Sequence, residues 1–118
     1  MLGNLFKRKI DREELIKVAI VSALEVCERK EKHPNLPQFR IDETIDETLL
    51  AQAKYMYQQE LSPSVLELGR AILMILLMEN DFVQRIYERT KNSSFEGLNG
   101  SEISELKAVL RTHLPQLF

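Results

Sequence analysis

The sequence lacks the features of small exported domains. Of its 118 residues one is cysteine, Cys27, and none is tryptophan. A single cysteine closes no disulfide within the chain, whereas small secreted domains usually depend on several. Glycine and proline occur only four times each, which is too rare for a collagen-like or low-complexity chain. We therefore expect a globular cytoplasmic protein that folds without disulfides.

The chain also lacks a strong charge of one sign and a long apolar run. Sixteen basic and 18 acidic residues leave a net charge of −2, so no general positive field attracts nucleic acids. The longest stretch without a polar residue runs from Ala71 to Met78, far short of the roughly 20 residues that cross a bilayer. The sequence therefore predicts no transmembrane segment.

The apolar residues of the chain follow the periodicity of amphipathic helices. Apolar residues recur at steps of three and four, which places them on one face of a helix. Residues that cap helix starts precede these stretches. They are Asp11 with Glu14, Thr44 with Glu47, Ser62 before Pro63, and Asn99 or Ser101.

These signals predict a single-domain, all-α bundle of about five helices. The domain spans 11–118 and follows a flexible basic tail over 1–10. Since neither proline nor glycine separates the third and fourth helices, one long bent helix is an alternative for that pair. The predicted helices are 11–31, 45–60, 63–79, 81–91 and 101–113.

Helix 63–79 is predicted to be central and buried. From Ala71 to Met78 it is apolar around its whole circumference, and such a helix has to be covered on all sides. A domain of this size leaves about a third of its surface exposed. We therefore expect this helix to complete its burial against a second copy or another protein. Glu67 and Arg70 then mark either its one polar edge or a polar contact in a subunit interface.

No catalytic, metal-binding or cofactor-binding pattern is apparent. His33 and His113 have no metal-ligating partner at helical spacing. Cys27 has no neighbour that would activate its thiol. The glycines do not form a phosphate-binding loop. The sequence therefore predicts a protein that is not an enzyme and uses no cofactor.

By exclusion we predict a protein-binding domain: an adaptor, assembly chaperone, inhibitor or immunity-type protein that also self-associates. Its partner is another protein, a second copy, or both. The candidate contact residues lie on helix 63–79 and in the proline-bounded loop 33–40, whose apolar residues alternatively fold onto the bundle. They are Leu36, Phe39, Arg70, Met74 and Met78.

Two alternatives rest on basic residues. A small nucleic-acid-binding regulator would use Arg85, Arg89 and Lys91, which lie on one side of helix 81–91. Attachment to an anionic membrane surface would use the tail, because apolar and basic residues together are the two signals of such binding. The tail residues are Leu2, Leu5, Phe6, Lys7, Arg8 and Lys9.

Overall fold

Five α-helices and no strand make up the part of the chain that the computed structural model describes, residues 10–32, 34, 41–92 and 97–115. The all-α prediction is confirmed. Four helices agree with their predicted bounds to within one residue. In chain order they are α1 (Arg12–Lys32), α2 (Ile41–Tyr57), α3 (Pro63–Met78), α4 (Asn80–Thr90) and α5 (Gly100–His113).

Side-chain caps start three of the helices as predicted. At α1 the Glu14 amide donates to Asp11 Oδ1 at 2.8 Å, and the Asp11 amide donates to Glu14 Oε1 at 3.1 Å. At α5 the cap is Asn99, which exchanges the same two bonds with Glu102 at 2.8 and 2.9 Å. Ser62 Oγ accepts an amide of the first turn of α3 at 3.4 Å. Each cap satisfies amides that the helix leaves without a partner.

Helix α2 begins earlier than predicted. It starts at Ile41 rather than at 45, so Thr44 lies inside the helix and the predicted capping box is wrong. The last residue before it that disrupts a helix is Pro37. No residue between Pro37 and Thr44 breaks a helix. The helix therefore extends from Thr44 towards the N-terminus as far as Ile41.

Helix α2 also ends earlier than the predicted residue 60. Gln58 adopts a left-handed backbone, with φ of 54°. Its amide donates to the Lys54 carbonyl at 2.9 Å, and the Gln59 amide reaches back to the Ala53 carbonyl at 3.4 Å. The bond from Gln58 is that of an αL-type helix end, in which the left-handed residue is usually glycine. The absence of glycine here hid the stop after Tyr57 from sequence reasoning.

Helices α3 and α4 are separate, and the alternative of one bent helix is wrong. Glu79 lies between them with φ of −90° and ψ of 57°. Its amide closes α3 by donating to the Ile75 carbonyl at 3.0 Å, while its carbonyl accepts the Val83 amide at 3.3 Å to start α4. One residue thus ends one helix and begins the next without a loop.

Helix α3 is central, as predicted, because it packs against each of the other four helices. Helix α1 packs against α2, α3 and α4, whereas α5 approaches closely only α3 among the described helices. At Gly69 the neighbours come so near that a Cβ atom would lie 3.2 Å from Leu15 Cδ1. The large apolar side chains that are fully buried are Leu15, Val18, Ile45, Leu49, Ile72, Leu73, Leu76, Val83, Ile86 and Leu110.

No helix in the described residues has both the length and the apolar character needed to cross a membrane.

Candidate functional site

The outer side of α3 carries a row of solvent-exposed apolar residues. We call Ala71, Met74, Leu77 and Met78 the α3 strip. Met74 is 40% exposed and Met78 68% exposed, while Ala71 and Leu77 are half-buried. Their spacing of three or four residues places them on one side of the helix. Among the described residues α3 is therefore only partly covered, and the sequence-predicted Met74 and Met78 lie together on its open side.

A salt bridge flanks the α3 strip. The Arg70 guanidinium donates two hydrogen bonds to Asp46 on α2, from Nε to Oδ1 at 2.8 Å and from Nη2 to Oδ2 at 2.7 Å. These bonds hold the pKa of the Asp46 carboxyl below its usual range. Arg70 and Glu67 are both exposed in the single chain, which is compatible with either predicted role, a polar edge of α3 or a polar contact in a subunit interface. The role of Arg70 in partner binding stays a prediction.

The three basic residues of the nucleic-acid alternative all lie close to carboxylates. Arg85 Nη2 lies 2.6 Å from Glu105, and Arg89 Nη2 lies 2.6 Å from Glu102. Lys91, the residue that follows α4, has its Nζ 2.8 Å from Glu88 of that helix. The two arginine pairs connect α4 to α5. A nucleic-acid phosphate would have to compete with these carboxylates, and the alternative stays a prediction.

A second feature, which sequence reasoning missed, is a cavity of 480 Å³ between α1 and α5. We call it the α1–α5 cavity. It forms because α5 packs closely against α3 and not against α1. No sequence signal marks it, since it depends on the distance between helices remote in the chain. Its lining is Glu13, Ile16, Lys17 and Ile20 of α1, Met56 of α2, Gly97 and Leu98, and Ile103, Leu106 and Lys107 of α5.

The side chains of Cys27, Tyr87 and His113 are the remaining groups of chemical interest in the described part of the chain. Burial raises the pKa of the Cys27 thiol, which keeps it protonated and a poor nucleophile at neutral pH. A hydrogen bond to Glu31 raises the pKa of Tyr87 to about 12. The Nε2 atom of His113 lies 3.8 Å from Oε1 of Glu79. No group of three metal-ligating side chains occurs in the residues described.

Several sequence-predicted residues lie outside the described residues. Leu36 and Phe39 of the proline-bounded loop are two of them. The membrane alternative rests wholly on such residues, so it stays a prediction. Its members are Leu2, Leu5, Phe6, Lys7, Arg8 and Lys9.

Comparison of the chain with protein-family models, curated proteins and solved structures finds no match. No residue role is therefore carried over from another protein. Inference about function rests on the two surfaces described above, the α3 strip and the α1–α5 cavity.

Proposed function

We propose that this chain is a non-enzymatic protein-binding domain, of the adaptor, assembly chaperone, inhibitor or immunity type, and that it self-associates through the α3 strip. One observation carries the proposal: Met74 and Met78 are 40% and 68% exposed on the helix that packs against all the others. Because these contacts hold α3 in place, the α3 strip is already positioned before a partner binds. Methionine adapts its shape to different partners better than branched side chains do.

The strength of the expected contact follows from the exposed area. Full burial of a methionine side chain contributes roughly 1.5–3 kcal/mol. Scaled by the exposed fractions of Met74 and Met78, the two contribute about 2 kcal/mol per copy and about 4 kcal/mol in a symmetric dimer. Association itself costs about 4–15 kcal/mol. The two methionines alone therefore do not offset the cost of association, and Ala71, Leu77 and the flanking polar residues have to contribute as well for a dimer to form.

The flanking salt bridge supports the same interpretation. Stable interfaces commonly surround an apolar centre with a polar rim. Arg70 and Asp46 supply such a rim beside the α3 strip, with the guanidinium already oriented by two hydrogen bonds. Little side-chain entropy then remains to be lost at that edge when a partner binds.

Sedimentation equilibrium over a range of concentrations tests self-association. We expect the wild-type mass to rise towards twice that of one chain, and Met78→Lys and Met74→Lys to stay monomeric because each places a charge in the contact. The matched control is Tyr55→Lys, since Tyr55 is 86% exposed on α2 and outside the α3 strip. A wild-type protein that stays monomeric at several hundred micromolar, or a Met78→Lys protein that still dimerises, would contradict self-association through the strip.

A photo-crosslinking residue at position 78, compared with the same residue at position 55, tests binding of a different protein in cells. We expect one dominant crosslinked product at position 78 and none at position 55. Equal crosslinking at the two positions would show that the α3 strip makes no specific contact.

A further inference from the structure

The floor of the α1–α5 cavity is apolar. Ile16, Ile20 and Leu106 are buried beneath it, and half-buried Met56 and Leu98 form its sides. Water against such a surface finds few hydrogen-bond partners, so an apolar group displaces it favourably. The volume of 480 Å³ lies within the roughly 300–1,000 Å³ of small-molecule sites. The cavity therefore suits an apolar ligand body rather than a hydrated one.

The rim of the cavity carries two lysines that form no ion pair within the described residues. Lys17 and Lys107 are exposed lining residues, and neither forms an ion pair with a carboxylate of the described chain. Arg85 and Arg89, which face the same helix α5 from α4, are both paired. Glu13 is the one carboxylate among the described residues of the lining. Within that set, two ammonium groups against one carboxylate leave one net positive charge at the rim.

We infer that the α1–α5 cavity binds a single-chain fatty carboxylate. The alkyl chain lies against Ile16, Ile20 and Leu106, and the carboxylate remains at the rim with Lys17 and Lys107. One negative charge matches the net rim charge, whereas Glu13 disfavours a dicarboxylate or a doubly charged phosphate ester. A nucleotide base would find no aromatic side chain among the described lining residues to stack on.

This site is independent of the proposed self-association. None of the residues of the α3 strip is among the described residues that line the cavity. Failure of one proposal therefore leaves the other standing.

The test is a titration of the full chain with sodium octanoate and sodium decanoate below the concentrations at which they self-aggregate, followed by NMR of isoleucine methyl groups. We expect one molecule to bind per chain and to shift the resonances of Ile16, Ile20 and Ile103. Each buried methylene tightens binding about fourfold, so decanoate binds about fifteenfold more tightly than octanoate. Equal affinities, or no shift of these methyl groups at saturating decanoate, would overturn the inference.

Charge-removing variants then test the head-group contact. The double variant Lys17→Gln/Lys107→Gln keeps exposed polar side chains and should fold normally. We expect it to weaken decanoate binding about tenfold while leaving the affinity for uncharged 1-octanol unchanged. The matched control is Lys54→Gln, because Lys54 is exposed on α2 and is not a lining residue. An equal effect of the double variant and the control would show that the carboxylate is not held at this rim.

Two further results would also overturn the inference. If decanoate shifts the methyl resonances of Met74 and Met78 instead of those of the cavity isoleucines, it acts as a detergent on the α3 strip. Loss of self-association in Ile103→Gln, together with no decanoate binding to the wild type, would assign the cavity to a second copy of the chain.

Discussion

Gly69 is buried in α3 at a point where a side chain would meet both α1 and α2. A Cβ atom there would lie 3.2 Å from Leu15 Cδ1 and 3.7 Å from the methyl carbons of Leu49. Replacing this glycine by alanine gains about 1 kcal/mol of helix propensity and about 0.8 kcal/mol from the buried methyl group. Overpacking opposes this with about 1–3 kcal/mol. We therefore expect the free energy of unfolding of Gly69→Ala to stay within about 1 kcal/mol of the wild type.

A double-mutant cycle with Leu15→Ala separates the gain from helix propensity and methyl burial from the cost of overpacking. Leu15 is almost fully buried, so Leu15→Ala alone should cost about 2–5 kcal/mol. It also removes the methyl group that crowds position 69. In that background Gly69→Ala should raise the free energy of unfolding by about 1–2 kcal/mol.

Urea denaturation followed by far-UV circular dichroism measures all four proteins of the cycle. Gly100→Ala is the matched control, because a Cβ at Gly100 has no atom within 4 Å and its effect should be the same in both Leu15 backgrounds. If Gly69→Ala also changes stability equally in the two backgrounds, within about 0.5 kcal/mol, contact with Leu15 is not what limits the residue at position 69.

Three further predictions concern polar groups. Tyr87, whose pKa is raised from 10.0 to about 12 by Glu31, holds its phenolic proton more tightly in the folded state; its contribution to stability is present below pH 10 and lost between pH 10 and 12. Titration of unfolding free energy against pH should show this loss in the wild type and not in Tyr87→Phe. Asn99→Ala should cost about 0.5–2 kcal/mol in urea denaturation because it removes the α5 cap, whereas Ser101→Ala should have little effect. Ser22 Oγ is buried without a hydrogen-bond partner among the described residues, so Ser22→Ala should raise the free energy of unfolding by about 1 kcal/mol and the melting temperature with it. A lowered melting temperature would indicate that the hydroxyl has a partner.

Features that depend on neighbours in sequence could be predicted. The Asp11 and Glu14 capping box joins residues three apart, and the Ser62 cap precedes a proline that suits a first helical turn. Both positions were read correctly from residue type and spacing alone. The central place of α3 followed from its apolar character, since no other helix has a comparable unbroken apolar run.

Features that depend on distances between helices could not be predicted. Arg70 was predicted to lie either at a polar edge or in a subunit interface, but its partner Asp46 lies 24 residues earlier, and no spacing rule connects them. The α1–α5 cavity exists because α5 packs against α3 and leaves α1 at a distance. Ile103, which lies at helical spacing from the buried Leu106 and Leu110, is consequently 39% exposed. Periodicity shows which face of a helix is apolar, but it does not show whether another helix lies against that face.

The way α5 is attached determines the order in which the molecule opens. Its close packing is with α3 alone among the described helices, and its connections to α4 are the Arg85 and Arg89 salt bridges, whose arginine side chains are 63% and 42% exposed. Dissolved salt screens the exposed Arg85–Glu105 pair most and the Arg89–Glu102 pair less, since the Glu102 side chain is only 14% exposed. Local unfolding begins where buried contacts are fewest. Among the described helices we therefore expect the amide hydrogens of α5 to exchange with solvent first, and we expect higher ionic strength to speed their exchange more than that of α1 to α4.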